Sequence, residues 1–256
     1  MLKNTSSVRW FRHFSLSSFI IFSVSIFSGY CQEMPKMNTS SDKISQMSGD
    51  EEIAHPFITH MGMPEAVGTY SLRLAALATR MDGKTEGDFS FHFETGLSKF
   101  VGLHIRNDRF LDNPHTEMMF QFTVIRSKDG MSGFSPIIKF EIPTKKGTTR
   151  FHTLVGFSSA IVKSRFAFNQ VNHYDPREDM VDGSAALVNK VSKRVFIMGE
   201  ILGEKMPDEQ AIINLLGGVK IMLSKNFIFG GYQQPVTKNK DFSSQYIFQP
   251  DMEWER

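Results

Sequence analysis

Apolar and polar residues alternate along most of the chain, from about Gly68 to the C-terminus. In the stretch DFSFHFETGLSKFVGLHIRND, residues 88–108, three phenylalanines lie on one face while His92 and Glu94 lie on the other. A period of two is typical of β-strands, because successive side chains point to opposite faces of a sheet. A short polar turn at Ser98-Lys99 divides the stretch, so the pattern predicts a β-hairpin.

The same alternation predicts an all-β fold of about 12 strands, with no helical period of comparable strength. Short turns alternate with longer polar links, among them Asp82 to Gly87 and Tyr174 to Gly183. In an up-and-down barrel, such alternation places the tight turns at one rim and the longer loops at the other, as in outer-membrane barrels. We therefore predict an up-and-down antiparallel transmembrane β-barrel over residues 68–256.

The alternation of apolar and polar residues does not by itself decide which face of the predicted sheet points inward. A soluble sandwich buries its apolar face, whereas a barrel in lipid exposes that face and lines its lumen with polar groups. Strands of about 10 residues suit a bilayer crossing, and the alternating C-terminal QYIFQPDMEWER resembles the signal for outer-membrane assembly. We expect outer-membrane lipid and the barrel-assembly machinery as partners, with a secreted soluble β-protein as the alternative.

The N-terminal region predicts export. Three basic residues precede an uncharged apolar run from Phe14 to about Phe27, which predicts a cleaved signal peptide over residues 1–31 and an outer-membrane location in a diderm, Gram-negative bacterium. The alternatives are a membrane anchor, for which the run is short, and acylation of Cys31. Residues 32–67 are rich in Met, Ser and charged residues with little periodicity, which predicts a flexible periplasmic arm.

Composition narrows the function. A formal net charge of +2 gives no reason to expect a nucleic-acid partner, and a single cysteine excludes a disulfide framework. The sequence has no HExxH motif, phosphate-binding glycine loop or clustered Cys/His site. We therefore predict that the protein is not an enzyme and has no cofactor, with bound copper as the alternative considered below.

Ionisable residues recur on the predicted lumenal face. Matching the faces of the first hairpin places His92 opposite His104 or Arg106, with Glu94 beside them. Such groups can select solutes at a constriction or simply neutralise one another, and imidazoles beside a carboxylate can also bind a metal or respond to protonation. The lumen and selectivity candidates are His92, Glu94, His104, Arg106, Lys139, Glu141, Arg150 and His152.

The predicted arm contains a second set of candidate ligands, His55, His60, Met61 and Met63. Thioether and imidazole groups suit copper or another soft metal. A disordered arm also contains methionine without any ligand, so both interpretations stay open.

Three segments, ETGLSKFVGLHIRND, GGVKIMLSKNFIFGGYQQPVT and DFSSQYIFQPDMEWE, resemble hairpins of the outer-membrane transporter family named after phenol-degradation gene clusters. The resemblance covers about residues 68–255 and implies a barrel channel, but it carries over no ligand residue. We therefore expect passive passage of a small solute. The alternative is a non-transporting envelope protein whose Met/His-rich arm binds copper or another soft metal.

Overall fold

The computed structural model describes residues 55–56, 58–111, 115–128, 130–144, 151–224 and 226–255. Their secondary structure is entirely β. No helix among them has the length and apolar character needed to cross a membrane. The strands are β1 (Thr69–Met81), β2 (Lys84–Ser98), β3 (Val101–Asn107), β4 (His115–Phe122), β5 (Ile125–Arg126), β6 (Gly133–Pro143), β7 (His152–Lys163), β8 (Phe166–Asp175), β9 (Met180–Lys190), β10 (Val195–Lys205), β11 (Ile212–Leu223), β12 (Asn226–Pro235) and β13 (Ser244–Glu255).

The strands form one closed antiparallel sheet. Each strand pairs with its neighbours in the chain, and β1 pairs with β13 to close the barrel. Segments β4 and β5 both pair with β6 and together occupy one position in the wall. The wall therefore has 12 positions, which confirms the predicted all-β up-and-down barrel.

The two rims differ in their connections. The rim that carries Thr69 and Glu255 also carries the two-residue turns 99–100 and 164–165; we call it the terminal rim. The opposite, long-loop rim carries links such as 206–211 and 236–243. One predicted long link is wrong: β1 and β2 meet across Asp82-Gly83, whose φ values of 46° and 80° suit the turn that matches strand twist.

The apolar face of the sheet points outward. Phe89 is 60% exposed and Phe248 55% exposed, whereas Glu94 and Lys220 are fully buried. Aromatic pairs flank both rims on the outside, with Tyr70 stacked on Trp254 at the terminal rim and Phe140 stacked on Phe151 near the long-loop rim. This distribution is the inverse of a soluble sandwich and is typical of a barrel in lipid, which is the orientation that strand length and the C-terminal pattern favoured.

Part of the predicted arm lies inside the barrel. Residues 55–56 and 58–67, which we call the lumenal segment, precede β1, and His55, Thr59, His60, Met61, Met63 and Glu65 are all buried. The prediction of a flexible arm is therefore wrong for these residues. The sequence of these residues lacks a period of two because the segment is not a β-strand; it packs irregularly inside the barrel. The rest of the arm and the predicted signal peptide lie outside the described residues.

The lumen is not uniformly polar. One side of it carries a buried apolar cluster that includes Met61 of the lumenal segment. We call its barrel residues the apolar wall, and they belong to β1 and β7–β13. They are Ala75, Leu77, Val162, Ala167, Val188, Phe196, Met198, Leu216, Phe227, Phe229 and Ile247.

Candidate functional site

A single carboxylate holds the innermost part of the lumenal segment. Glu200 on β10 accepts hydrogen bonds from the backbone N–H groups of Ile58 and Thr59, at 3.0 and 2.9 Å, and from the Thr59 hydroxyl at 3.1 Å. The segment has no strand partner over these residues, so its buried amides need acceptors from the wall. Glu200 supplies them, and the charge on the acceptor strengthens each bond.

Other wall side chains bind the backbone of the same segment. Asn169 accepts from the N–H of Gly62 at 2.9 Å, and the Gln121 amide donates to the carbonyl of Met61 at 3.1 Å. Arg73 and Arg106 donate to the carbonyls of Pro56 and Ile58, at 3.1 and 2.7 Å. The lumenal segment is thus bound by polar side chains of several strands.

Two glycines permit the close approach of segment and wall. A Cβ atom on Gly96 of β2 would lie 2.4 Å from the carbonyl oxygen of Glu65, and one on Gly62 would lie 2.0 Å from that of Ser159. Real Cβ atoms do not approach backbone oxygens so closely. The glycines therefore fix where the segment contacts β2 and β7.

The first hairpin carries a histidine–glutamate cluster. Its register pairs His92 with Arg106 and Glu94 with His104, which is one of the two pairings that the sequence left open. Oxygen Oε1 of Glu94 lies 2.5 Å from the guanidinium of Arg73, 3.0 Å from Nε2 of His92 and 2.9 Å from Nδ1 of His104. All of these groups are buried, so three of the predicted lumen candidates, His92, Glu94 and His104, form a compact network with Arg73.

The lumenal segment adds His60 to this cluster. The ring centroid of His60 lies 4.8 Å from that of His92 and 5.4 Å from that of His104, with both contacts edge-to-face. Burial lowers the pKa of the His60 imidazole well below its ordinary value, so its neutral form is favoured. Two sets of candidates that are separate in the sequence thus meet in the lumen.

The remaining arm candidates lie elsewhere. Nε2 of His55 is 3.6 Å from Oε1 of Glu65, which joins the beginning and end of the lumenal segment. Met61 packs in the apolar cluster, and the sulfur of Met63 lies 3.9 Å from the hydroxyl of Ser135. The four residues proposed as a soft-metal set are therefore divided among different surroundings.

A second charged network lies nearer the long-loop rim. Nζ of Lys139 lies 3.2 Å from Glu141, 3.3 Å from Glu117 and 3.4 Å from Asp182. His152 is the cross-strand partner of Glu141, and its Nδ1 lies 3.0 Å from Asp175. The last lumen candidate, Arg150, lies outside the described residues.

Between this network and the lumenal segment lies a cavity of about 230 Å³. Ile58 and His60 contribute to its lining from the lumenal segment. Acidic side chains outnumber basic ones around it: Asp108, Glu117, Asp182, Glu204 and Asp241 against Arg106 and Lys139. The cavity can therefore accept a small polar solute, and its charge favours a cation.

Sequence reasoning missed several residues of these networks, namely Arg73, Glu65, Glu117 and Gln121. Arg73 is the one charged residue in the middle of TYSLRLAALATRM, and a charge on the inward face of an otherwise apolar strand was the signal that could have found it. No comparable signal marks Glu65, because it belongs to no strand.

No protein-family model matches the chain, and no curated protein matches its sequence. Among solved structures, the chain is similar to an outer membrane channel from Pseudomonas putida F1, with 8% identity and a TM-score of 0.50 over 75% of this chain and 97% of that one. A NanC porin has 7% identity and a TM-score of 0.49 over 73% of this chain and 99% of that one. Salmonella typhi OmpF in complex with daunomycin has 7% identity and a TM-score of 0.39 over 73% of this chain and 97% of that one. The first of these likenesses supports the closed-barrel fold.

Proposed function

We propose that the protein is an outer-membrane channel for passive passage of a small solute, closed in this conformation by its lumenal segment. The observation that carries the proposal is the orientation of the wall, with phenylalanines exposed and charged groups enclosed. Only lipid makes such an exterior favourable. Its fold likeness to an outer membrane channel supports the same conclusion, as does the resemblance of its hairpins to the transporter family named above.

The export apparatus follows from the location. A barrel in the outer membrane of a diderm bacterium first has to cross the inner membrane, so we propose a cleaved signal peptide and insertion by the barrel-assembly machinery. Catalysis has no part in the proposal.

The charge around the cavity supports a preference for small cations or cationic solutes. Five acidic side chains line it against two basic ones, and rings of one sign select the opposite sign in narrow pores. We expect the reversal potential under a salt gradient to show preference for the cation.

Passage requires movement of the lumenal segment. The segment is held by hydrogen bonds and packing, and Glu200 alone accepts two of its backbone amides. Each hydrogen bond to a charged group contributes about 1.5–3 kcal/mol. The anchor at Glu200 is therefore the place where a single substitution should shift the balance between the closed and open forms.

The test is conductance of the full chain in planar bilayers. We expect rare openings for the wild type and an open fraction at least about 10-fold higher for Glu200→Ala, since about 1.4 kcal/mol corresponds to a factor of 10. Glu204→Ala is the matched control, because Glu204 lies on the same strand and lines the cavity but makes no hydrogen bond or ion pair with the described residues of the lumenal segment.

The occluded lumen also favours a second candidate, a non-transporting envelope protein that binds copper or another soft metal through its N-terminal region. In that case Glu200→Ala would conduct no better than the wild type. Absence of conductance from both proteins, with the barrel shown to be folded by its resistance to detergent before boiling, would remove the channel proposal.

A further inference from the structure

Four potential metal ligands converge where the lumenal segment meets β2 and β3. One ring nitrogen from each of His60, His92 and His104 and one carboxylate oxygen of Glu94 all lie within 4.8 Å of one another. The four side chains are buried. Three come from a single hairpin of the wall, and the fourth comes from the segment packed against it.

The cluster contains ligand atoms with unused capacity. Nδ1 of His60, Nε2 of His92 and Oε2 of Glu94 are buried and make no hydrogen bond within the described part of the chain. Nε2 of His92 does lie 3.0 Å from Oε1 of Glu94, but the geometry of this contact is not that of a hydrogen bond. Buried polar atoms without partners are costly, and a bound cation would satisfy atoms of this kind.

His104 is oriented as a metal ligand should be. Its Nδ1 faces Glu94 at 2.9 Å and its Nε2 faces Oε1 of Gln121 at 3.0 Å. The amide nitrogen of Gln121 is committed to the carbonyl of Met61 and the hydroxyl of Ser158, so its oxygen is the atom that faces His104. Nε2 therefore donates to Gln121, so in the neutral ring Nδ1 carries the lone pair that faces Glu94, and a cation between these two atoms would bind both. Such outer partners fix the tautomer of ligating histidines.

The charge of the lumen is compatible with a bound cation. Arg73 and Arg106 lie close to the cluster and oppose a cation. The ion pair of Arg73 is with Oε1 of Glu94, and Oε2 of Glu94 makes no hydrogen bond within the described residues. In the described chain, six buried carboxylates face four buried basic groups. These are Glu65, Asp88, Glu94, Asp175, Glu200 and Asp251 against Arg73, Arg106, Lys139 and Lys220.

We propose that His60, His92, His104 and Glu94 bind one divalent cation of the zinc type, which ties the lumenal segment to the barrel wall. Three imidazoles and one carboxylate are ligands that zinc accepts in four-coordinate sites. Calcium and magnesium prefer oxygen ligands, and no thiolate or thioether belongs to the set, which disfavours Cu(I). The site stands whether or not the barrel conducts.

The test uses the full chain in detergent micelles after removal of metals with EDTA. Titration with Zn²⁺ should show one tightly bound ion per barrel, and Co²⁺ in its place should give the visible absorption of a four-coordinate ion. His60→Gln and His104→Gln should each weaken binding by about 100-fold or more, because loss of a ligand costs at least as much as loss of an outer partner.

His115→Gln is the control, since His115 lies on β4 outside the cluster. Gln121→Ala provides a milder variant that keeps all four ligands, and we expect it to weaken binding by about 10-fold. All variants are compared only after their detergent resistance before boiling shows a folded barrel.

Two results would overturn the site: wild-type protein that binds no stoichiometric Zn²⁺, or His60→Gln with the same affinity as His115→Gln. Preferential Cu(I) binding that survives His60→Gln and is lost in Met63→Ala would assign the metal to a thioether site instead. Because these are binding measurements in micelles, failure of the site is distinct from failure of the channel proposal.

Discussion

Two sides of the lumen contact the lumenal segment through different kinds of interaction. The side formed by β1–β4, which we call the polar wall, uses buried charges and amides, among them Arg73, Glu94 and Gln121. The apolar wall instead forms one buried cluster with Met61, and this cluster includes Phe196 and Phe229. The polar wall fixes position through directional contacts, whereas the apolar wall contributes packing that has little direction.

The apolar wall also encloses a charge. Nζ of Lys220, on β11, lies 4.1 Å from the ring centroid of Phe227 and 5.1 and 5.3 Å from those of Phe196 and Phe229. Aromatic faces attract a cation, and the attraction grows when water is excluded. The three rings therefore belong to the buried cluster that includes Met61 and also lie around the charge of Lys220.

The largest expected effect comes from the apolar wall. Phe229→Ala should lower the free energy of unfolding by about 3–5 kcal/mol, since a fully buried phenylalanine leaves a cavity that its neighbours cannot fill. Phe229 is 0% exposed. Urea-induced unfolding in lipid vesicles measures the change.

Phe248→Ala is the matched control, because Phe248 lies on the outer face and lipid chains can refill the space. We expect it to lose only the transfer contribution, about 1.5–3 kcal/mol. Equal losses for the two variants would mean that the apolar wall is not packed like a protein core.

A smaller effect is expected from the polar wall. Glu94→Gln keeps the shape of the side chain but removes the counter-charge 2.5 Å from Arg73. Breaking a buried ion pair from one side is strongly destabilising, and the retained amide limits the loss to about 3 kcal/mol. The same unfolding measurement, made with EDTA present, checks this value.

The double variant Arg73→Gln/Glu94→Gln sharpens the result. If charge pairing holds the polar wall together, the double variant should lose less stability than the sum of the losses of the two single variants. As a control, Glu204→Gln at the cavity should change the free energy of unfolding by less than about 1 kcal/mol. Strict additivity at Arg73 and Glu94 would contradict a coupled pair.

The two walls also differ in how far sequence could predict them. On the first hairpin, phenylalanines alternate with His92 and Glu94, so the orientation of both faces was predictable. On β12, NFIFGGYQQP, both faces begin with apolar residues, and period two does not tell which of Phe227 and Ile228 points inward. Phe227 and Phe229 point inward, where they belong to the buried apolar cluster that includes Met61. The alternation of residues along β12 does not reveal that the lumen holds an apolar partner.

The candidate site shows the same limit. His92, Glu94 and His104 were identified because they share one face of a hairpin, although the sequence left two pairings open and the structure shows one of them. His60 was noticed only as part of an irregular arm. Its place beside the hairpin arises from hydrogen bonds between the segment's backbone and side chains such as Glu200 and Asn169, and long-range contacts of this kind leave no periodic trace in a sequence.

The smallest expected effect concerns the contact at which segment and wall approach most closely on β2. Gly96→Ala places a Cβ atom 2.4 Å from the carbonyl oxygen of Glu65, so the segment or the strand must shift. Overpacking of this kind costs about 1–3 kcal/mol. We expect the cost to fall on the lumenal segment, because the strands of the barrel are held on both sides and the segment is not.

Hydrogen exchange at the amides of Thr59 and Gly62 measures this cost, since both amides donate to wall side chains. Exchange through local opening should accelerate by about 10-fold for each 1.4 kcal/mol. Gly217→Ala is the control, because its Cβ atom would meet nothing within 4 Å. Faster exchange in β1 and β2 with unchanged exchange in the segment would show that the wall yields first, and the segment would then be the more firmly held of the two.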